Sequence, residues 1–251
     1  MPAELVVRQA GFAPVKGMRH LSLPAIDVDE HGALGDRSLC LVDVDRSRVL
    51  KTVQHPSLIG VVARVDGGVL DVTLPSGGSV SAPVVPSGRR VTCDYWGRQV
   101  LLELTGGPHA EVLSDWLGLQ VALAAAPRGG VVFGEPLTLV GTASLHDLAR
   151  RTGHDGLVDE AARFRATLVV ETDEPYVEDS WAGRELVVRG AAVRIGGPVP
   201  RCAVVDHHPV TGERDVRLLR ALARERPVNR AGEPMLGVYA RCVRPGRVVT
   251  G

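Results

Sequence analysis

The stretch Val199-Pro200-Arg201-Cys202-Ala203-Val204-Val205-Asp206-His207-His208-Pro209-Val210-Thr211-Gly212 brings a soft ligand, a cation and a turn signature into one short segment. A thiolate is the best protein ligand for a soft transition metal. An adjacent guanidinium lowers a thiol pKa and holds an anion beside the metal. A cysteine at a strand end also serves as a small buried hydrophobe, and both readings stand at this point. A zinc site from Cys202, Asp206, His207 and His208 fits less well, because four ligands crowded into a single loop rarely close a tetrahedron. Cys40, Cys93 and Cys242 lie far from Cys202, with no C-x-x-C pair and no iron–sulfur spacing, so each cysteine is read as a single thiol.

The elements that position this stretch are short. Strand signals run from Leu5 to Ala10, through Ser22 to Asp29, Ser38 to Val44, Gly60 to Val65, Val69 to Leu74 and Ser79 to Pro83. Gly- and Pro-rich turns such as Asp66-Gly67-Gly68 separate them. Lys16 falls on a loop between Pro14 and Gly17, and Arg37 at a strand start. Helical patterns begin at Pro108 and stop at Gly118, and begin near Ser144, expected as a cap, and stop before Gly153. A third helix is expected from Asp215 as cap, with Val216, Leu219, Leu222 and Ala223 inward and an arginine-studded face that is solvated or docks an acidic redox partner. Arg163-Phe164-Arg165 leads into the strand from Ala166 to Glu171, and a late strand carries Tyr239.

The bulk properties fit this picture. The 251 residues hold 29 Gly and 17 Pro against three each of Trp, Tyr and Phe, which favours short strands and tight turns over a helical bundle. The expected class is mainly β with a few helices (α+β): a β-barrel-like domain over residues 1–125 and a second β-barrel domain over 126–251. Lys and Arg (29) balance Asp and Glu (29), leaving no basic excess for a nucleic-acid backbone. No apolar run is long enough to cross a bilayer, and Met1-Pro2-Ala3-Glu4-Leu5 lacks the features of a signal peptide, so no membrane partner and a cytoplasmic location are expected.

Taken in order, Pro14-Val15-Lys16, Gly35-Asp36-Arg37, Ala143-Ser144-Leu145, Arg163-Phe164-Arg165, Glu178-Asp179-Ser180-Trp181 and Arg201-Cys202 with Thr211-Gly212 resemble the MOSC family with its N-terminal β-barrel domain. Bacterial relatives of the mitochondrial amidoxime-reducing component are the members most similar. The resemblance implies a molybdenum cofactor, molybdopterin, with Cys202 as metal ligand. It implies cofactor contacts from Lys16, Gly17, Arg37, Arg165, Pro200, Arg201 and Tyr239. Asp179 is a candidate proton relay. The implied activity is reduction of N-hydroxylated or N-oxygenated small molecules, with electrons from a separate protein such as a ferredoxin or a flavoprotein. Sulfur transfer or carbon–sulfur cleavage through Cys202, or non-catalytic molybdopterin carriage, are the alternatives.

Two departures from the family pattern stand out. Gly17 replaces a usual Ser, and Ala166-Thr167 replaces a usual Pro-Asn, whose two-ended hydrogen bonding Thr does not reproduce. A changed substrate is the expected consequence.

Overall fold

The computed structural model describes residues 4–251; the start of the N-terminal segment, Met1 to Ala3, lies outside the described residues. Short strands dominate, as the turn spacing predicts, and they assemble into two main bodies. In the first, five strands close a barrel: Val85–Tyr95, Arg98–Gly106, Ala122–Ala125, Leu39–Asp43 and Arg48–Val49. A three-stranded sheet, Val62–Asp66, Val69–Thr73 and Ser79–Pro83, packs beside it. Its first hairpin turns on Gly67 and Gly68, both at positive φ (54° and 81°), the geometry a two-residue turn needs to match strand twist.

The second body is a mixed eight-stranded sheet. In spatial order it runs Glu4–Leu5, Glu185–Val188, Ala191–Pro200, Met235–Arg244, Leu137–Gly141, Leu168–Val170, Val7–Phe12 and Leu21–Leu23. The cores do not follow the halves of the chain: Val7, Ala10, Ile26 and Val28 join Leu137, Leu139, Val193 and Val238 in one apolar cluster. The barrel side has its own, built from Leu41, Leu58, Leu70, Leu113 and Leu123. No helix among the described residues is long and apolar enough to cross a membrane.

Helix α1, His109–Leu117, begins after Pro108 and ends on Gly118 at φ 62°, and helix α2, Thr142–Thr152, ends on Gly153 at φ 66°, both as the sequence predicts. The α2 start differs. Ser144 is no cap; it sits in the first turn, and its hydroxyl donates to the buried Glu178 carboxylate at 2.8 Å while accepting the Tyr176 N–H at 2.7 Å. Glu178 also accepts the Gly141 N–H at 3.1 Å, so a buried carboxylate takes the place of a side-chain cap at the positive end of the helix. Ser144→Ala leaves that carboxylate short of a donor. The expected cost is about 1–3 kcal/mol, read as a lower denaturation midpoint in urea.

Helix α3, Leu218–Glu225, also corrects the expectation. Asp215 is taken by Arg163 and does not cap it. Asp206 accepts the Leu219 N–H at 2.8 Å instead. Leu218 and Leu222 are buried inward and Val216 and Leu219 pack partly buried against the same core, as expected of Val216, Leu219 and Leu222, whereas Ala223 is exposed.

Candidate functional site

A cleft of about 170 Å³ lies between the barrel and the eight-stranded sheet, and residues from both line it. The strand Ala191–Pro200 delivers the ligand stretch. Its pairing with Met235–Arg244 shifts register at Pro198 and Pro200, as a strand must where proline cannot donate. The Arg201 N–H then donates to the Pro234 carbonyl at 2.8 Å, and Cys202 follows, half-buried in the cleft wall.

Arg201 is locked by backbone. Its Nε donates to the Leu236 carbonyl at 2.8 Å and its Nη1 to the Phe164 carbonyl at 2.7 Å. Its Nη2 is buried with no partner. Burial draws its pKa down to about 10. Arg165 closes the short helix Ala161–Phe164 at φ 50°, a left-handed conformation that costs free energy for a side chain other than glycine. Its Nη2 is likewise buried without a partner, and burial followed by the nearby Arg37 brings its pKa down to about 10. Arg37 has the same left-handed strain (φ 48°), and its Nε pairs with Asp36 at 3.4 Å.

Lys16 completes the cationic set. Its N–H is fixed on the Leu39 carbonyl at 2.8 Å and its Nζ stands 5.5 Å from the centre of the Tyr95 ring. Burial, then repulsion from Arg37 and Arg165, lowers its pKa to about 7. The unfolded chain, with the ordinary lysine value near 10.5, therefore binds a proton that the folded chain lacks between about pH 7 and 10.5. Stability of the ligand-free protein rises with pH across that window, by at most about 1.4 kcal/mol per pH unit. Lys16→Met is expected to remove this rise, as measured by urea denaturation at pH 6.5 and 9.

Other expected site residues fall differently. Pro200 and Tyr239 line the cleft. The Tyr239 ring lies so close to Gly134 that a Cβ there would stand 2.4 Å from it, and burial raises its pKa. Gly17 is buried behind Lys16 at φ 92°, where a serine would be strained, so its part is conformational. Asp179 does not line the cleft; it pairs with Arg226, whose guanidinium stacks 3.9 Å from the centre of the Tyr176 ring.

Thr167 is tied to Thr138, its side chain making one hydrogen bond and its backbone another. Its Oγ1 accepts the Thr138 N–H at 3.2 Å, while its own N–H donates to Thr138 Oγ1 at 3.1 Å. Arg163, two residues before Arg165, faces other partners: Asp215 at 2.8 and 2.6 Å and Glu160 at 2.6 Å.

The zinc alternative fails on geometry. Asp206 serves α3 and Arg214, His207 Nδ1 bonds the Gly212 carbonyl, and His208 Nδ1 accepts backbone N–H groups of its own loop. No group of three or more metal-binding side chains occurs among the described residues.

Sequence reasoning missed the cleft's aromatic lip. Trp96 and Gly97 form the two-residue turn between Val85–Tyr95 and Arg98–Gly106, at φ 54° and 78°. There Trp96 meets Phe133 edge to face, centroids 5.1 Å apart, with Lys51 Nζ 4.1 Å from the Trp96 ring centre. The Tyr95-Trp96-Gly97 hairpin tip was the available signal.

The cleft as a whole is a half-buried thiol ringed by cations, two of which end in buried donors without acceptors. A family model described as the MOSC N-terminal beta barrel domain matches residues 6–120, and one described as the MOSC domain matches residues 104–251. The molybdenum cofactor sulfurase of Caenorhabditis elegans is 24% identical over 238 residues, 91% of this chain and 32% of that protein. That of Caenorhabditis briggsae is 29% identical over 238 residues, with the same shares. The chain thus spans about a third of the length of these curated relatives. Among solved structures, the YuaD protein from Bacillus subtilis is 10% identical with a TM-score of 0.45, over 98% of this chain and 92% of that one.

Proposed function

The chain belongs to the family of MOSC-domain proteins with an N-terminal β-barrel domain, and from that premise we propose that its cleft binds the molybdenum cofactor and that Cys202 handles sulfur there. The observation that carries this reading is the pair of buried, unpartnered guanidinium nitrogens, Nη2 of Arg165 and Nη2 of Arg201, in one cleft with the Cys202 thiol. Buried cationic donors without acceptors cost free energy, and an anion with several acceptor oxygens offsets that cost. The phosphate and pterin edge of molybdopterin present acceptors of this kind, so the donor set fits the group.

When bound, the cofactor supplies a soft metal centre able to take up thiolate and exchange oxygen and sulfur ligands. The chain's own part is positioning. Arg201, fixed by two carbonyls, offers its free nitrogen without reorganising. Arg165 and Arg37 are held by local backbone in conformations that the surrounding fold must enforce. An anion beside Lys16 raises its pKa again, so binding above pH 7 is accompanied by proton uptake at Nζ. Tyr239, pressed onto Gly134, forms a fixed wall. Asp179, paired with Arg226 outside the cleft, is given no proton-relay role.

Sulfur handling is placed ahead of N-reduction because the curated relatives that match most of the chain bear the name molybdenum cofactor sulfurase. The deciding experiment measures cyanide-labile sulfur on the purified protein, alongside amidoxime reduction with an artificial electron donor. Thiocyanate release that disappears in Cys202→Ser supports the reading. Amidoxime turnover without labile sulfur overturns it in favour of N-reduction with a separate electron donor.

A further inference from the structure

Cys202 lies where two openings meet. One is the cationic cleft; the other is a groove between α3 and residues 232–234, walled by Arg214, Arg217 and Arg220. Arg214 is neutralised by Asp206 at 2.7 Å. Arg217, Arg220 and Arg224 are exposed and form no ion pair among the described residues. The acid nearest in sequence, Glu225, pairs with Arg151 at 3.1 Å.

Arg220 and Arg224, four residues apart, share one side of α3, and Arg217, at the N-cap just before its first turn, lines the same two grooves as Arg220. Like charges at such spacings repel, and α3 is only eight residues long, so the row weakens the helix that bears it. A second groove on the far side shares Arg217 and Arg220 and adds Arg224, so the row stands as a ridge between two depressions. The chain as a whole balances 29 cationic against 29 anionic side chains, which makes the ridge a local concentration of charge. A small anion reaches one or two guanidiniums on a convex helix. The acidic face of another protein reaches all three.

We propose that the row Arg217, Arg220 and Arg224 docks the acidic face of a partner protein, at the rim of the groove through which that partner approaches Cys202. This rests on the reading of Cys202 as the working group of the site. Docking there leaves the cationic cleft free for its cofactor, because the ridge flanks Cys202 from the other opening.

The probe is a fluorescein-labelled peptide of twelve alternating Glu and Gly residues, with binding followed by anisotropy at low salt. Arg217→Ser/Arg220→Ser/Arg224→Ser is expected to weaken binding by about tenfold or more. The control Arg64→Ser/Arg89→Ser/Arg90→Ser removes the same charge from exposed residues on the barrel side and is expected to change binding less than about twofold. Equal losses in both variants, or none in either, overturn the proposal. A labelled twelve-base-pair DNA duplex whose binding depends on the row as strongly as the peptide's overturns it in favour of nucleic acid. Molybdenum content measured on the same preparations keeps the two readings apart. Metal-free wild type contradicts the cofactor reading alone, whereas unchanged molybdenum with unchanged peptide binding in the first variant contradicts the docking proposal alone.

Discussion

Arg163→Ala is expected to destabilise the protein by about 3 kcal/mol, while Arg165→Met, two residues on, stabilises the ligand-free protein and abolishes cofactor uptake. The Arg163 side chain is fully buried and bridges Asp215 and Glu160. Breaking a buried ion pair costs about 3–5 kcal/mol. The two carboxylates left behind are 32% and 25% exposed and regain some water, which places the effect at the lower end. Arg165 has the opposite character. It is half-buried with its Nη2 fully buried and unpartnered, repelled by Arg37 and held at positive φ. Methionine keeps the aliphatic volume and removes the desolvated charge, so urea denaturation without cofactor should show a higher midpoint. Pterin fluorescence of the purified variant should fall to background. A destabilised Arg165→Met would show that the guanidinium serves the fold.

Where Cys202 also ligates the metal of the proposed cofactor, Cys202→Ser is expected to fold as the wild type does and to carry no molybdenum. The thiol is half-buried and makes no hydrogen bond on which the local fold depends; the segment is held by the Arg201 N–H on Pro234 and by the Val205 N–H on the Cys202 carbonyl at 3.2 Å. A hydroxyl fills nearly the same space but is a far poorer ligand for a soft metal. Metal analysis of the folded variant therefore reads the thiol's chemistry directly. Retention of molybdenum at the wild-type level would remove Cys202 from the ligand set.

What the sequence made legible was local. Gly118 and Gly153 stop α1 and α2 because a residue at positive φ ends a helix at little cost when it is glycine. Asp66-Gly67-Gly68 marked its hairpin for the same reason. The misreadings share a different cause. Asp215 looks like a helix cap until Arg163, 52 residues away, claims it, and Asp206 then fills the role from 13 residues upstream. Ser144 looks like a cap until Glu178 is folded beneath it.

The cleft shows both limits. Lys16, Arg37, Arg165, Arg201 and Tyr239 are implied by the family resemblance, and all of them line it. Asp179, the candidate proton relay, pairs with Arg226 outside the cleft. Trp96 and Phe133 come together only because a hairpin tip and a separate loop meet at the lip, and no periodicity encodes that meeting. Local rules read one backbone segment at a time, whereas partners across tens of residues are set by packing.

The most direct measurement is the molybdenum and pterin content per chain of the wild-type protein, purified from cells supplied with molybdate, beside that of Arg165→Met. The account predicts molybdenum and pterin in equal amounts in the wild type and neither in the variant. A folded wild type that carries neither, or an Arg165→Met variant that keeps both, would contradict it.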